Sequence, residues 1–169
     1  MVLVGDEWLW RDGQAIAGTA HELASVTSLA DVRSRTDTSH AAFLAVDTAP
    51  KEQVQRGQAQ AVGGASGLAV LNRCMDAAKA GEVDAITFAP LNKFAMKQGG
   101  LKHDDELHHF AQHLGVTGYF CEFNTLRGLW TSRISSHVPL KDVPKYIEKS
   151  RIVDATTLKA RVRADLESY

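Results

Sequence analysis

Apolar positions along the chain fall into short continuous runs, separated by stretches in which they recur every three or four places. The first pattern belongs to strands and the second to amphipathic helices. Residues 2–6 read as a strand ending in a turn, and residues 8–17 as a short helix or irregular segment. Residues 21–40 mix Ser, Thr and Asp with scattered apolar positions, the pattern of loop with an edge strand at 24–29. The run 41–46 is a strand, ended by Asp47-Thr48-Ala49-Pro50. Residues 51–60 are polar and Gln-rich, and Gly63-Gly64 breaks them. Leu68, Leu71, Met75 and Ala78 then share one helical face, with Gly81 closing the helix.

Residues 85–89 form an apolar, β-prone run that Pro90 stops, because proline has no N–H for the ladder. A short helix over 91–98 follows, then one over 106–114, capped by Asp104 or Asp105 and closed by Gly115. Residues 118–123 read as a strand. So do residues 129–137, where Leu129, Thr131, Arg133 and Ser135 alternate with Trp130, Ser132 and Ile134. Pro139 opens a helix with Leu140, Val143 and Ile147 on one face. A last helix runs from Asp154 or Thr156 to Leu166, with Leu158, Val162 and Leu166 in line. This alternation predicts an α/β domain with helices packed on a sheet. No repeat or linker interrupts it, so residues 1–169 are expected to form a single domain.

Charge narrows the partners. The 19 basic and 20 acidic residues are interspersed and leave a net charge of -1, no footprint for nucleic acid or an anionic membrane. No apolar run is long enough to span a bilayer, and the first residues lack the pattern of a signal peptide, so the expected location is the cytoplasm. Cys74 and Cys121 stand far apart in apolar surroundings and read as small buried hydrophobes.

Candidate chemistry clusters in the middle of the chain. Asn92 and Lys93 stand at the carboxyl end of the expected strand 85–89, where open α/β sheets bind ligands. The glycines at 57, 63, 64 and 67 lack the order of a phosphate loop. Five of the seven histidines lie between His103 and His137. His109 and His113 share a helix face, but Phe110 occupies the place where a zinc protease carries glutamate; a partly solvated face is the other reading. Asp104-Asp105-Glu106 equally reads as an acidic helix start favoured by the macrodipole. His137, between a strand and Pro139, is placed to bind metal or move a proton, or to serve as a structural histidine. Arg133 can pair with an anionic substrate, with Glu122 or with Asp142.

Ala89-Pro90-Leu91-Asn92-Lys93, Gly99-Gly100 and Phe110-Ala111, together with Ser136-His137-Val138-Pro139-Leu140, resemble the central part of the 4-hydroxythreonine-4-phosphate dehydrogenases of pyridoxal phosphate synthesis. Relatives of that family act on aromatic cis-dihydrodiol carboxylates and phosphorylated sugar acids. The resemblance runs from Val2 to Leu166 and is most specific at 85–100 and 136–140. It implies the three-layer αβα fold of isocitrate and isopropylmalate dehydrogenases, and a homodimer with the site between subunits. It further implies NAD(P)-dependent oxidation of a small hydroxy acid or diol, often with decarboxylation, with a divalent metal (Zn, Mg or Co) polarising the hydroxyl.

By that resemblance His137 is a metal ligand, Lys93 is catalytic, and Asn92, Glu106, Leu107 and Arg133 face substrate. Glu106 and Leu107 stand where the family's Gly-His-Thr-Glu motif has histidine and threonine. A carboxylate is a poor neighbour for phosphate, and the surrounding residues look closer to the dihydrodiol branch. Two further metal-binding histidines, a Gly-Asp-Pro-x-Gly-Ile-Gly-like beginning and a C-terminal cofactor region have no counterpart in these residues. The chain is therefore expected to be the central part of a longer dehydrogenase and inactive by itself. The alternative is a catalytically silent homodimeric module that keeps the fold and binds a small carboxylate or a partner.

Overall fold

A computed structural model describes residues 1–135 and 138–168. The chain divides into two compact units, Met1–Leu114 and Gly115–Tyr169. In the first, the strands β1 (Val2–Gly5), β2 (Ala24–Val26) and β3 (Ala42–Ala45) form a parallel sheet in the order β1-β3-β2. The helices are α1 (Glu7–Ala17), α2 (Leu29–Ser34), α3 (Ala61–Lys79), α4 (Lys93–Gln98) and α5 (Glu106–Leu114).

β3 is central because its sequence is apolar on both sides: Ala42, Phe43 and Leu44 are all buried. Successive side chains on a strand point to opposite faces. Phe43 accordingly meets the ring of Trp10 on α1 at 6.4 Å. Leu44 joins Leu29 of α2 and Ala77 of α3 in one apolar cluster. A second cluster gathers Leu68, Leu71 and Met75 of α3 with Met96 and Leu101, and Phe110 and Leu114 of α5 pack against it. The strands at 2–6, 24–29 and 41–46 and the helix carrying Leu68 thus stand near their expected places. Residues 8–17 are helical.

Several expectations need correction. Residues 85–89 belong to no strand among the described residues, and most of them are exposed. Their composition suits a strand, yet a strand requires a hydrogen-bonded neighbour, and among the described residues they make no backbone hydrogen bond. Gly63 and Gly64 do not break the chain but sit inside α3, which begins at Ala61. Helix α2 was hidden among polar residues. Its signal is a capping box, in which Ser28 Oγ accepts from the Asp31 N–H while Asp31 accepts from the Ser28 N–H.

In the second unit, β4 (Phe123–Leu126) and β5 (Leu129–Ser132) form an antiparallel hairpin, with Arg127 at its tip in the left-handed region, φ 51°. The expected strand 118–123 is paired only from Phe123. The expected strand 129–137 is paired only to Ser132 among its described residues, since the register ends with Phe123 opposite Ser132. The helix foreseen after Pro139 is a 3-10 segment, Leu140–Tyr146, with Pro144 inside it, where an α-helical hydrogen bond cannot form. The last helix, α6 (Lys149–Glu167), starts earlier than expected. No helix among the described residues is long and apolar enough to cross a membrane.

Candidate active site around Asn92, Lys93 and Glu106

Two helices in backbone contact fix the position of Asn92 and Lys93. A Cβ added to Gly64 of α3 would overlap the carbonyl of Ala95 on α4, and one added to Gly99 would overlap the backbone of Ala61–Ala65. Only glycine permits so close an approach. At the start of α4, Asn92 Oδ1 accepts the Ala95 N–H at 2.9 Å, which begins the helix. Ala95 and Met96 are buried against α3, which leaves Lys93 on the outer side.

Lys93 Nζ lies 3.4 Å from Glu106 Oε2 at the first turn of α5. The Lys93 side chain is 46% exposed and that of Glu106 20%. Glu106 Oε2 is itself buried and accepts no hydrogen bond, so the lysine reaches it as a charge and not as a donor. Beside it, Asp105 is buried and accepts both the His108 N–H, at 2.9 Å, and a bond with the His108 ring Nδ1, at 2.6 Å. Burial pushes the Asp105 carboxyl up. The hydrogen bonds from His108, with the charges of His108 and Lys93, outweigh it and hold the group below the ordinary carboxylate value. The result is a cation half open to solvent, one buried carboxylate satisfied by its own helix, and another with an oxygen left to accept.

Of the residues singled out in the sequence, Asn92, Lys93 and Glu106 come together here. Asn92 also lines a cavity of about 220 Å³ with Gly63, Gly64, Gly67 and Leu91. Leu107 follows Glu106 on α5 and is half-buried. Arg133 lies in the second unit, where it pairs with Glu122 at 3.1 Å, one step beyond the hairpin ladder. His137 lies outside the described residues. Two further histidines are engaged: His109 Nε2 is 2.7 Å from Asn72 Oδ1 and His113 Nε2 2.7 Å from Asp76 Oδ1. Among the described residues, no three His, Cys, Asp or Glu groups converge on a possible metal position. The described residues therefore do not make a metal centre by themselves. Of the glycines in α3, Gly64 is the one used to pack against the backbone of α4.

The sequence reading passed over the Asp6–Thr48–Ser66 cluster at the carboxyl ends of β1 and β3, in which Asp6 and Ser66 are buried and Thr48 is half-buried. Asp6 accepts the N–H of Thr48 at 2.9 Å and of Ala49 at 3.2 Å, and the Thr48 hydroxyl at 2.5 Å; that hydroxyl also lies 2.7 Å from Ser66 Oγ. Aspartate just after an apolar run was the available signal. Because these bonds close on one another, the cluster ties the two strand ends to α3.

A family model described as pyridoxal phosphate biosynthetic protein PdxA matches residues 1–167. A protein of Pseudomonas aeruginosa, provisionally named 4-hydroxythreonine-4-phosphate dehydrogenase 2, is 38% identical over 160 residues, which cover 94% of this chain and 46% of that one. The 4-hydroxythreonine-4-phosphate dehydrogenase of Synechocystis is 34% identical over 109 residues, 61% of this chain and 31% of that one. The crystal structure of the 4-hydroxythreonine-4-phosphate dehydrogenase of Klebsiella pneumoniae superposes with a TM-score of 0.79 over 95% of this chain and 48% of that one; at 22% identity this is a likeness of fold. The chain thus spans about half the length of the relatives that it matches from end to end. With almost every residue inside the family match, the chain belongs to the pyridoxal phosphate biosynthetic protein PdxA family.

Proposed function

We propose that the chain is the substrate-facing part of an NAD(P)- and divalent-metal-dependent dehydrogenase that oxidises the secondary alcohol of a small hydroxy acid or diol. The observation that carries this reading is the buried, unbonded Glu106 Oε2 held 3.4 Å from Lys93. Oxidising an alcohol removes a hydride and a proton, and this pair is suited to the proton. A substrate hydroxyl can donate to Glu106 Oε2 while the Lys93 ammonium steadies the negative oxygen as the carbonyl forms. Asn92 and Leu107 flank the pair. A substrate contact for Arg133, which pairs with Glu122 in the second unit, rests on the resemblance alone.

The nicotinamide and the metal, whether Zn, Mg or Co, rest on the resemblance. They would bring the hydride acceptor and the polarising charge, with His137 as a ligand. The same resemblance supports a three-layer αβα arrangement of the isocitrate dehydrogenase type, a cytoplasmic homodimer, and these residues as the central part of a longer enzyme. Relatives are named for a phosphorylated hydroxy amino acid. Glu106 in place of histidine favours a substrate without phosphate at that position, as in the dihydrodiol branch, because two anions there would repel.

Calorimetric titration of 4-hydroxythreonine, with and without its phosphate, into the purified chain tests the reading. Binding of at least one of them, weakened at least ~10-fold in Lys93→Ala, is expected. Nicotinamide reduction in the same sample is expected to be absent from these residues alone. Equal binding by the parent chain and Lys93→Ala, or no binding by the folded chain, would overturn the assignment.

A further inference from the structure

The cavity that Asn92 shares with α3 and α4 has a volume of about 220 Å³. Gly63 and Gly67 of α3 form one wall, Leu91 and Met96 another, and the segment 54–60 a third, beginning at Val54. That segment is tied down. The Arg56 guanidinium lies 2.6 Å from an Asp12 carboxylate oxygen on α1, and the Gln55 N–H donates to Gln60 Oε1 at 2.7 Å. The walls therefore stand before any ligand arrives.

Gly63 and Gly67 are not explained by packing. A Cβ at Gly64 would strike Ala95, whereas one at Gly63 would meet nothing within 4 Å, and one at Gly67 only Leu91 Cδ2, at 4.0 Å. Glycine within a helix costs stability relative to alanine, and here no other segment among the described residues demands it. Four places apart, the two stand on the same side of α3. What their missing side chains leave open is the cavity.

Size and lining point to the occupant. Pockets that engulf a whole ligand begin at about 300 Å³, and an apolar cavity of about 150 Å³ already holds a ring of six carbons. A cavity of about 220 Å³ takes part of a molecule. Among the described residues, none of those lining it is charged. A phosphate or carboxylate placed there would give up its water and gain no cation. The link to the chemistry is Asn92, which precedes Lys93.

We infer that this cavity holds the uncharged end of the substrate, a branched or cyclic hydrocarbon group of about four to six carbons, while the hydroxy acid end lies at Lys93 and Glu106. The inference rests on the reading of Asn92, Lys93 and Glu106 as the substrate site. Gly63 and Gly67 then set specificity, since any side chain added there shrinks the group that fits.

Three 2-hydroxy acids that differ in the tail test it: lactate with a methyl group, 2-hydroxy-4-methylpentanoate with an isobutyl group, and 3-phosphoglycerate with a phosphate. Each is titrated calorimetrically into the purified chain, Gly67→Ala, Gly67→Val and Lys93→Ala. In the parent chain the isobutyl acid is expected to bind at least ~10-fold more tightly than lactate, because it buries three more carbons. Phosphoglycerate is expected to bind more weakly than the isobutyl acid. Gly67→Ala is expected to narrow the preference for isobutyl and Gly67→Val to abolish it, with lactate affinity changed less than ~3-fold in both. Gly67→Ala is also expected to unfold at a higher temperature than the parent, whereas a packing role for the glycine would lower that temperature. Equal affinities for lactate and the isobutyl acid, a preference for phosphoglycerate, or a preference that survives Gly67→Val would overturn the inference. So would a folded chain that binds none of the three. Lys93→Ala separates the cavity from the reading of the site. A preference for isobutyl with no effect of Lys93 strikes the role of Lys93 and leaves the cavity in place. Binding that depends on Lys93 but ignores the tail strikes the cavity alone.

Discussion

Asp6 is 4% exposed, yet its carboxylate meets the N–H of Thr48, the N–H of Ala49 and the Thr48 hydroxyl. Asp6→Ala would leave those donors buried and unpaired, so a loss of about 3 kcal/mol is expected in urea unfolding. A second residue gives a pH dependence. Burial first, then the charges of His103 and His113, hold the His109 ring below its ordinary value of 6.5. The folded state then takes up a proton less readily than the unfolded chain. This contribution to stability is complete above the ordinary value and is lost as pH falls from there through the lowered one. Chemical-shift titration of the ring is expected to give a midpoint below 6.5, and His109→Gln is expected to remove that share of the pH dependence of unfolding. At this scale Asn92 and Lys93 were legible as polar residues just past the Pro90 stop, although the strand expected to present them is absent among the described residues and Asn92 instead caps α4. The closeness of Glu106 to Lys93 was not, since it depends on how α5 packs. Asp105, read only as one of two possible caps, is the residue that bonds His108.

Helix α4 sits where it does because Gly64 and Gly99 let two backbones touch. Gly64→Ala would drive a methyl group into the Ala95 carbonyl, and displacing it should cost at least ~2 kcal/mol in thermal unfolding. Because Lys93 opens α4, the same variant is expected to weaken ligand binding even where the chain stays folded. The sequence reading took Gly63-Gly64 as a break. Inside a helix these residues weaken local propensity, and the reason Gly64 is tolerated lies in a partner far along the chain. The run 41–46 was legible as a strand because it is apolar on both faces and stands between two neighbours. The run 85–89 is similarly apolar and β-prone, but among the described residues it has no hydrogen-bonded neighbour. Pairing is a property of two segments, and one segment's sequence cannot report it. Helix α2 shows the opposite case: its Ser28–Asp31 capping box was readable, but the short apolar periodicity behind it was not.

For the whole molecule, the interspersed charges and the ordinary apolar content were legible from composition, and the α/β class from the alternation of patterns. The family was legible from local motifs at 85–100 and 136–140, and the match over residues 1–167 agrees with it. How the polypeptide divides into compact units was not legible, because no change in composition marks residue 114. The central claim, that Lys93 and Glu106 act as one unit on a substrate, is tested most directly by a double-mutant cycle. Affinity for 4-hydroxythreonine and for its phosphate would be measured calorimetrically in the parent chain, Lys93→Met, Glu106→Gln and the double variant. The account predicts that each single substitution weakens binding and that the double variant is little worse than either, a coupling of about 1 kcal/mol or more. Strictly additive losses, or four proteins that bind alike, would contradict it.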